Sequence, residues 1–181
     1  LRRASLETVS EARRLAAPLG ASVAAVVVGP GSAALAGELA AYGAEKVHVF
    51  EDASFASYAT EAYARAFAQV ITEAKPSIVL VPYTAMGKDL APRVAAKAGA
   101  ALASDCVSLA VQSGKLDARR PVYAGKAYAT VTWAGEPQMA SLRPNVFALG
   151  QPDSARKAEV VKASCDGAAR AKVVSFAASG Q

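Results

Sequence analysis

Apolar positions recur with two alternating periods through the first half of the chain. Leu6, Val9, Ala12 and Leu15 fall at helical spacing, with Ser5 as the expected N-cap and Gly20 as the stop. Ser22–Gly29 is a β-branched run typical of a strand covered on both faces. A second helix is predicted from Ser32 to near Tyr42-Gly43, and Lys46–Phe50 is the next strand. Ser57 to Lys75 reads as a long helix with Tyr63, Phe67, Val70 and Ile71 on its inner side, ended by Pro76. Ser77–Pro82 is a second strand predicted to be fully buried. Met86–Gly99 is a fourth helix, with Pro92 as a kink or first turn.

Beyond residue 100 the rhythm changes. Leu102–Gln112, Val122–Trp133 and Pro137–Phe147 read as strands, with turn signals at Ser113-Gly114 and Gly135-Glu136. Residues 151–181 read as an edge segment and linker, with Val160-Val161 and Val173–Phe176 as short strand candidates. Helices alternating with buried strands, followed by a meander, predict an α/β fold. Its doubly wound, mainly parallel sheet is flanked by helices and carries an antiparallel extension in the second half. The 181 residues are expected to form a single domain.

Composition refines this picture. Of 181 residues, 53% are hydrophobic and 45 are alanine, so the core must use alanine-faced helices as well as large side chains. No apolar run reaches the ~18 residues of a membrane span, and no secretory signal pattern opens the chain. Cys106 and Cys165 form no C-x-x-C pair, which fits free thiols in a reducing compartment. The expected setting is the cytoplasm, or the mitochondrial matrix in a eukaryote. Charge is uneven: residues 1–90 hold 8 basic against 9 acidic side chains, and residues 91–181 hold 12 against 6. Nucleic acid is not the expected partner, because the basic residues do not interleave with aromatic stacking platforms.

Candidate chemistry is sparse. Gly29-Pro-Gly31-Ser-Ala-Ala34 fits G-x-G-x-x-A between a strand and a helix, and Glu51 stands where a ribose-binding acid would sit. Pro30 removes one amide from that loop, so a tight turn with a surface acid is the competing reading. Tyr83-Thr84-Ala-Met-Gly87-Lys88-Asp89 opens a helix at a ligand position of open α/β sheets, yet lacks the full phosphate-loop pattern. His48 is the only histidine and lies mid-strand. No cluster has metal spacing. Asp105 beside Ser104, and Arg119-Arg120, read as a turn cap and a strand end. Arg143 and Asn145, within an apolar stretch, call for fixed polar contacts, with Asp105 the candidate partner of Arg143. These features predict a scaffold or binding domain with no catalytic, cofactor-binding or metal-ligating residues.

Three ordered stretches carry a family resemblance. Met86-Gly-Lys-Asp-Leu-Ala-Pro-Arg-Val-Ala-Ala-Lys97 leads into Ala103-Ser104-Asp105. Pro121-Val-Tyr-Ala-Gly-Lys-Ala127 follows, then Ser141-Leu-Arg-Pro-Asn-Val-Phe147. With the helix at Leu6–Leu15 they resemble the N-terminal domain of the electron-transfer flavoprotein alpha subunit. The resemblance implies a scaffold and subunit-interface domain of a heterodimeric electron carrier. In that family FAD is held mainly by a C-terminal domain lying outside this chain, and AMP sits in the beta subunit. It further implies the electron-transfer flavoprotein beta subunit as stable partner. Dehydrogenases and a membrane quinone oxidoreductase would be transient partners of a protein that is not itself integral to the membrane. Family members begin with a hydrophobic strand before the Leu6 helix, so this sequence is expected to be a fragment of a longer chain. A stand-alone adenine-nucleotide-binding protein, using Gly29–Ala34 or Thr84–Asp89, is the alternative expectation.

Overall fold

The computed structural model describes residues 1–171, 173–175 and 177. The first half alternates helix and strand as expected: α1 (Arg3–Leu19), β1 (Ala24–Val28), α2 (Ala36–Tyr42), β2 (Lys46–Phe50), α3 (Thr60–Ala74), β3 (Ile78–Pro82) and α4 (Ala85–Ala98). The second half holds β4 (Leu102–Cys106), β5 (Ser108–Gln112), β6 (Lys115–Val122), β7 (Ala127–Val131), β8 (Gln138–Leu142) and β9 (Glu159–Lys162). Gly20, with φ 59°, ends α1 as predicted. The helix begins before Ser5, however, with Arg2 at the N-cap and no side-chain cap bond. Pro92 sits inside α4 without ending it. A 3₁₀ turn at Ser32–Leu35 takes the start of the second predicted helix, and another forms at Ala53–Phe55.

The strands form three ladders. β1-β2-β9 and β3-β8-β4 are parallel, whereas β5-β6-β7 is antiparallel. The parallel sheets flanked by helices and the antiparallel extension are those predicted, but three assignments change. Leu102–Gln112 is two strands, because Asp105 takes φ 61° and β4 bulges before Cys106. Val122–Trp133 contains a turn at Tyr123–Gly125, so β6 ends where a strand was expected to start. β8 leaves the meander and lies between β3 and β4, all five of its residues buried. Val160-Val161 lies in β9, parallel to β2. The last strand candidate, Val173–Phe176, has no regular structure at 173–175, and Phe176 lies outside the described residues.

β1 and β3 are less buried than predicted: Ala25, Val26, Val28, Ile78, Val79 and Leu80 are half-buried. Each is the outermost strand of its ladder, so one row of backbone groups has no strand partner. α1 contributes Val9 to the core over β1-β2 and Leu15 to the core over β4-β8. α3 does the same on other core surfaces, through Ala62, Ala66 and Val70 against Phe50, and Ala64 against Val81 and Met139. Fully buried Ala62, Ala64 and Ala66 on α3, and Ala91 and Ala95 on α4, make the alanine-faced packing that composition demanded.

Candidate partner interface

The carboxyl ends of β3, β8 and β4 lie side by side, because all three strands run parallel. At β3, Thr84 caps α4, its Oγ1 accepting from the Gly87 N–H at 3.2 Å. A Cβ on Gly87 would stand 1.8 Å from the Pro82 carbonyl oxygen, so only glycine lets the helix start so close to the strand end. The Lys88 ammonium lies 4.6 Å from the centre of the Tyr83 ring. Asp89 accepts hydrogen bonds from the Tyr58 and Thr60 hydroxyls.

Arg143 follows β8 and pairs with Asp105 at the end of β4, as the sequence suggested. Nε and Nη2 donate to the two carboxylate oxygens at 2.8 and 2.6 Å. The Arg143 guanidinium holds the Asp105 carboxyl below the usual carboxylate range against opposing burial. Arg143 itself lies in the loop after β8 and not within a strand, and its side chain is 42% exposed. Its loop is clamped from α1, through residues that helical periodicity did not single out. Buried Glu7 accepts from the Asn145 N–H at 2.9 Å and from Arg3 Nε at 2.8 Å. The Ser10 hydroxyl accepts from the Gly150 N–H at 3.0 Å. Asn145, at φ 63°, turns the chain there.

The hairpin β6–β7 forms the adjoining rim. Tyr123, Ala124 and Gly125 all have positive φ, and this turn holds the Tyr123 side chain in solvent, 81% exposed. Tyr128 is 53% exposed, stands opposite Pro121 in the ladder, and has the Arg119 guanidinium 4.2 Å from its ring centre. Arg120 Nε is buried with no hydrogen-bond partner among the described residues. Arg119 and Arg120 are therefore more than the solvated strand end expected of them. Tyr123 and Tyr128 were not singled out, although Gly125 two residues after Tyr123 was an available turn signal. Tyrosine and arginine on an exposed rim are the side chains enriched at protein–protein interfaces.

Other candidates fall elsewhere. The Gly29–Ala34 loop lies at the carboxyl end of β1, and Glu51 Oε1 accepts from its Ala33 N–H at 2.9 Å. The carboxylate expected to meet a ribose is thus bound to the loop itself, and Ser32 is buried beside it. His48 is buried within β2, its imidazole held below its ordinary pKa by burial first and by Lys46 next. Cys106 and Cys165 are free thiols, and burial pushes Cys106 up to about 11. Among the described residues, no group of three or more His, Cys, Asp or Glu is placed to hold a metal ion, and no helix is long and apolar enough to cross a membrane.

Residues 1–168 match the family model described as the electron transfer flavoprotein domain. The electron transfer flavoprotein subunit alpha of Syntrophomonas wolfei is 45% identical over 150 residues, covering 83% of this chain and 46% of the relative. That of Thermoanaerobacterium thermosaccharolyticum is 35% identical, covering 90% and 50%. The protein FixB of Rhizobium meliloti is 38% identical, covering 81% and 43%. The chain spans about half the length of these curated relatives.

Proposed function

The chain belongs to the electron transfer flavoprotein domain family, and from that premise we propose that it is the scaffold and subunit-interface half of an electron-transfer flavoprotein alpha subunit. The carrier as a whole takes electrons from flavin dehydrogenases on FAD and passes them to a quinone oxidoreductase or another acceptor. The observation that carries the interface role is the rim of Tyr123, Tyr128, Arg119 and Arg120 beside the clamped Arg143 loop. Among the described residues β7 has a strand neighbour on one side alone, so the rim also ends in an open sheet edge there. The partner is an electron-transfer flavoprotein beta subunit, which carries the AMP.

FAD does not fit the Gly29–Ala34 loop, the G-x-G-x-x-A match of this chain. The Ala33 amide and the Glu51 carboxylate that would hold its phosphate and ribose already hold each other. FAD therefore belongs outside this stretch, and these residues supply position and electrostatics for a flavin that carries the electrons. The same Glu51 contact weighs against the Gly29–Ala34 route of the stand-alone adenine-nucleotide-binding alternative.

The test is co-purification of the full-length protein with the product of its neighbouring gene, at low salt and near 0.5 M, where the Debye length is roughly 4 Å. A one-to-one complex with bound flavin should persist in both, as expected of an obligate interface burying at least ~2,000 Å². Tyr128→Asp should weaken it at least ~30-fold, a hot-spot loss of about 2 kcal/mol. A neighbour lost at both salts, or a Tyr128→Asp complex of unchanged strength, would refute the reading.

A further inference from the structure

α3, α4 and residues 168–170 enclose a cleft of about 560 Å³. It lies apart from the Tyr123–Tyr128 rim and is not explained by the scaffold role. Among the described residues, four cations line it (Arg65, Arg93, Lys97 and Arg170) against a single carboxylate, Glu61. Two of the four are already engaged. Arg170 forks onto Glu61, with Nε and its backbone N–H each at 2.8 Å. Arg65 meets the Asp166 carboxylate at 3.2 Å and the Ala168 carbonyl at 3.1 Å.

Arg93 and Lys97 remain. They lie one helical turn apart on α4 and make no hydrogen bond or ion pair among the described residues. Asp89, one turn before Arg93, is occupied by the Tyr58 and Thr60 hydroxyls. Like charges at this spacing repel along a helix, so the pair is at a disadvantage until an anion sits between them. The floor is Ala96, Ala168 and Ala169, whose small side chains leave the volume open. Counting Asp166 with Arg65 and Asp89 with Arg93, whose charges act on each other, the described surroundings of the cleft retain one net positive charge. Among the described residues, no aromatic side chain lines the cleft to stack a base.

We propose that this cleft binds a phosphoryl group, gripped by the Arg93 guanidinium and the Lys97 ammonium, with the Arg170–Glu61 pair at its rim. Two cations without a hydrogen-bond or ion-pair partner among the described residues line the cleft, and the guanidinium fork matches the oxygen geometry of a phosphoryl group. The phosphoryl group comes either from a small phosphorylated solute or from a lipid headgroup.

Inorganic pyrophosphate titrated calorimetrically into the full-length protein at low salt tests the first source. Sedimentation with phosphatidic acid vesicles, against phosphatidylcholine vesicles, tests the second. Saturable binding in either arm is expected, weakened at least tenfold by Arg93→Gln with Lys97→Gln and unchanged by Lys115→Gln at the start of β6. Both variant positions are exposed on α4, so a circular dichroism spectrum equal to the parent's separates lost binding from lost fold. No binding in either arm, or binding that the Arg93/Lys97 double variant leaves intact, overturns the proposal.

Discussion

Replacing Gly87 by alanine sets helix propensity against a steric wall. On propensity alone the change should favour α4, since alanine outranks glycine by ~1 kcal/mol in a helix interior. The added Cβ would lie 1.8 Å from the Pro82 carbonyl oxygen, which is backbone and cannot rotate away. The start of α4 must move, straining the close packing and pulling the Gly87 N–H from its 3.2 Å bond to Thr84. Overpacking and a lost cap together outweigh the propensity gain, leaving a net loss of about 2–3 kcal/mol. For a domain of this size that is a fall in melting temperature of roughly 5–10 °C. Gly37 in α2 is the control: its φ is not positive and nothing lies within 4 Å of its would-be Cβ. Gly37→Ala should be neutral or stabilising by up to ~1 kcal/mol. Urea unfolding followed by circular dichroism reads both variants. If Gly87→Ala keeps the parent's midpoint, or moves it in the same direction as Gly37→Ala, the close approach of β3 and α4 is refuted.

Asp105→Asn removes one ionic partner of a half-exposed bidentate pair and should cost about 1 kcal/mol at pH 7. The Asp105 pKa is depressed in the folded protein, so its contribution is present above the unfolded value near ~3.9 and disappears as pH falls through the folded one. The stability gap between the parent and Asp105→Asn should therefore narrow as pH falls below ~3.9, and a gap unchanged from pH 7 through that range would contradict the assignment. For the thiols, iodoacetamide labelling with peptide mapping should modify half-buried Cys165 slowly in the native protein. Cys106, fully buried and held up to about 11, should react after unfolding alone; native labelling of Cys106 at the rate of Cys165 would count against its burial.

Local periodicity determined the order of helices and strands through Ala98, because each element there carries its own 3.6- or 2-residue signal and its own stop, such as Gly20 or Pro76. Three quoted stretches sufficed to indicate the family, and the Arg143–Asp105 pair was legible because an ionised group in an apolar stretch needs a counter-charge. Strand partnership was not legible. β8 looks like one more meander strand, yet it lies between β3 and β4, since its five buried residues find covered faces only there. The half-burial of β1 and β3 also escaped the β-branched pattern, because burial of a strand depends on which neighbours the topology brings alongside. Glu7 and Ser10 fall outside the helical spacing of Leu6, Val9, Ala12 and Leu15, and tertiary structure alone set them against the amides of Asn145 and Gly150. The Tyr123–Tyr128 rim and the Arg93–Lys97 cleft are likewise products of assembly. Each joins side chains whose meeting is decided by a turn of positive φ or by the packing of two helices, neither of which leaves a periodic trace in the chain.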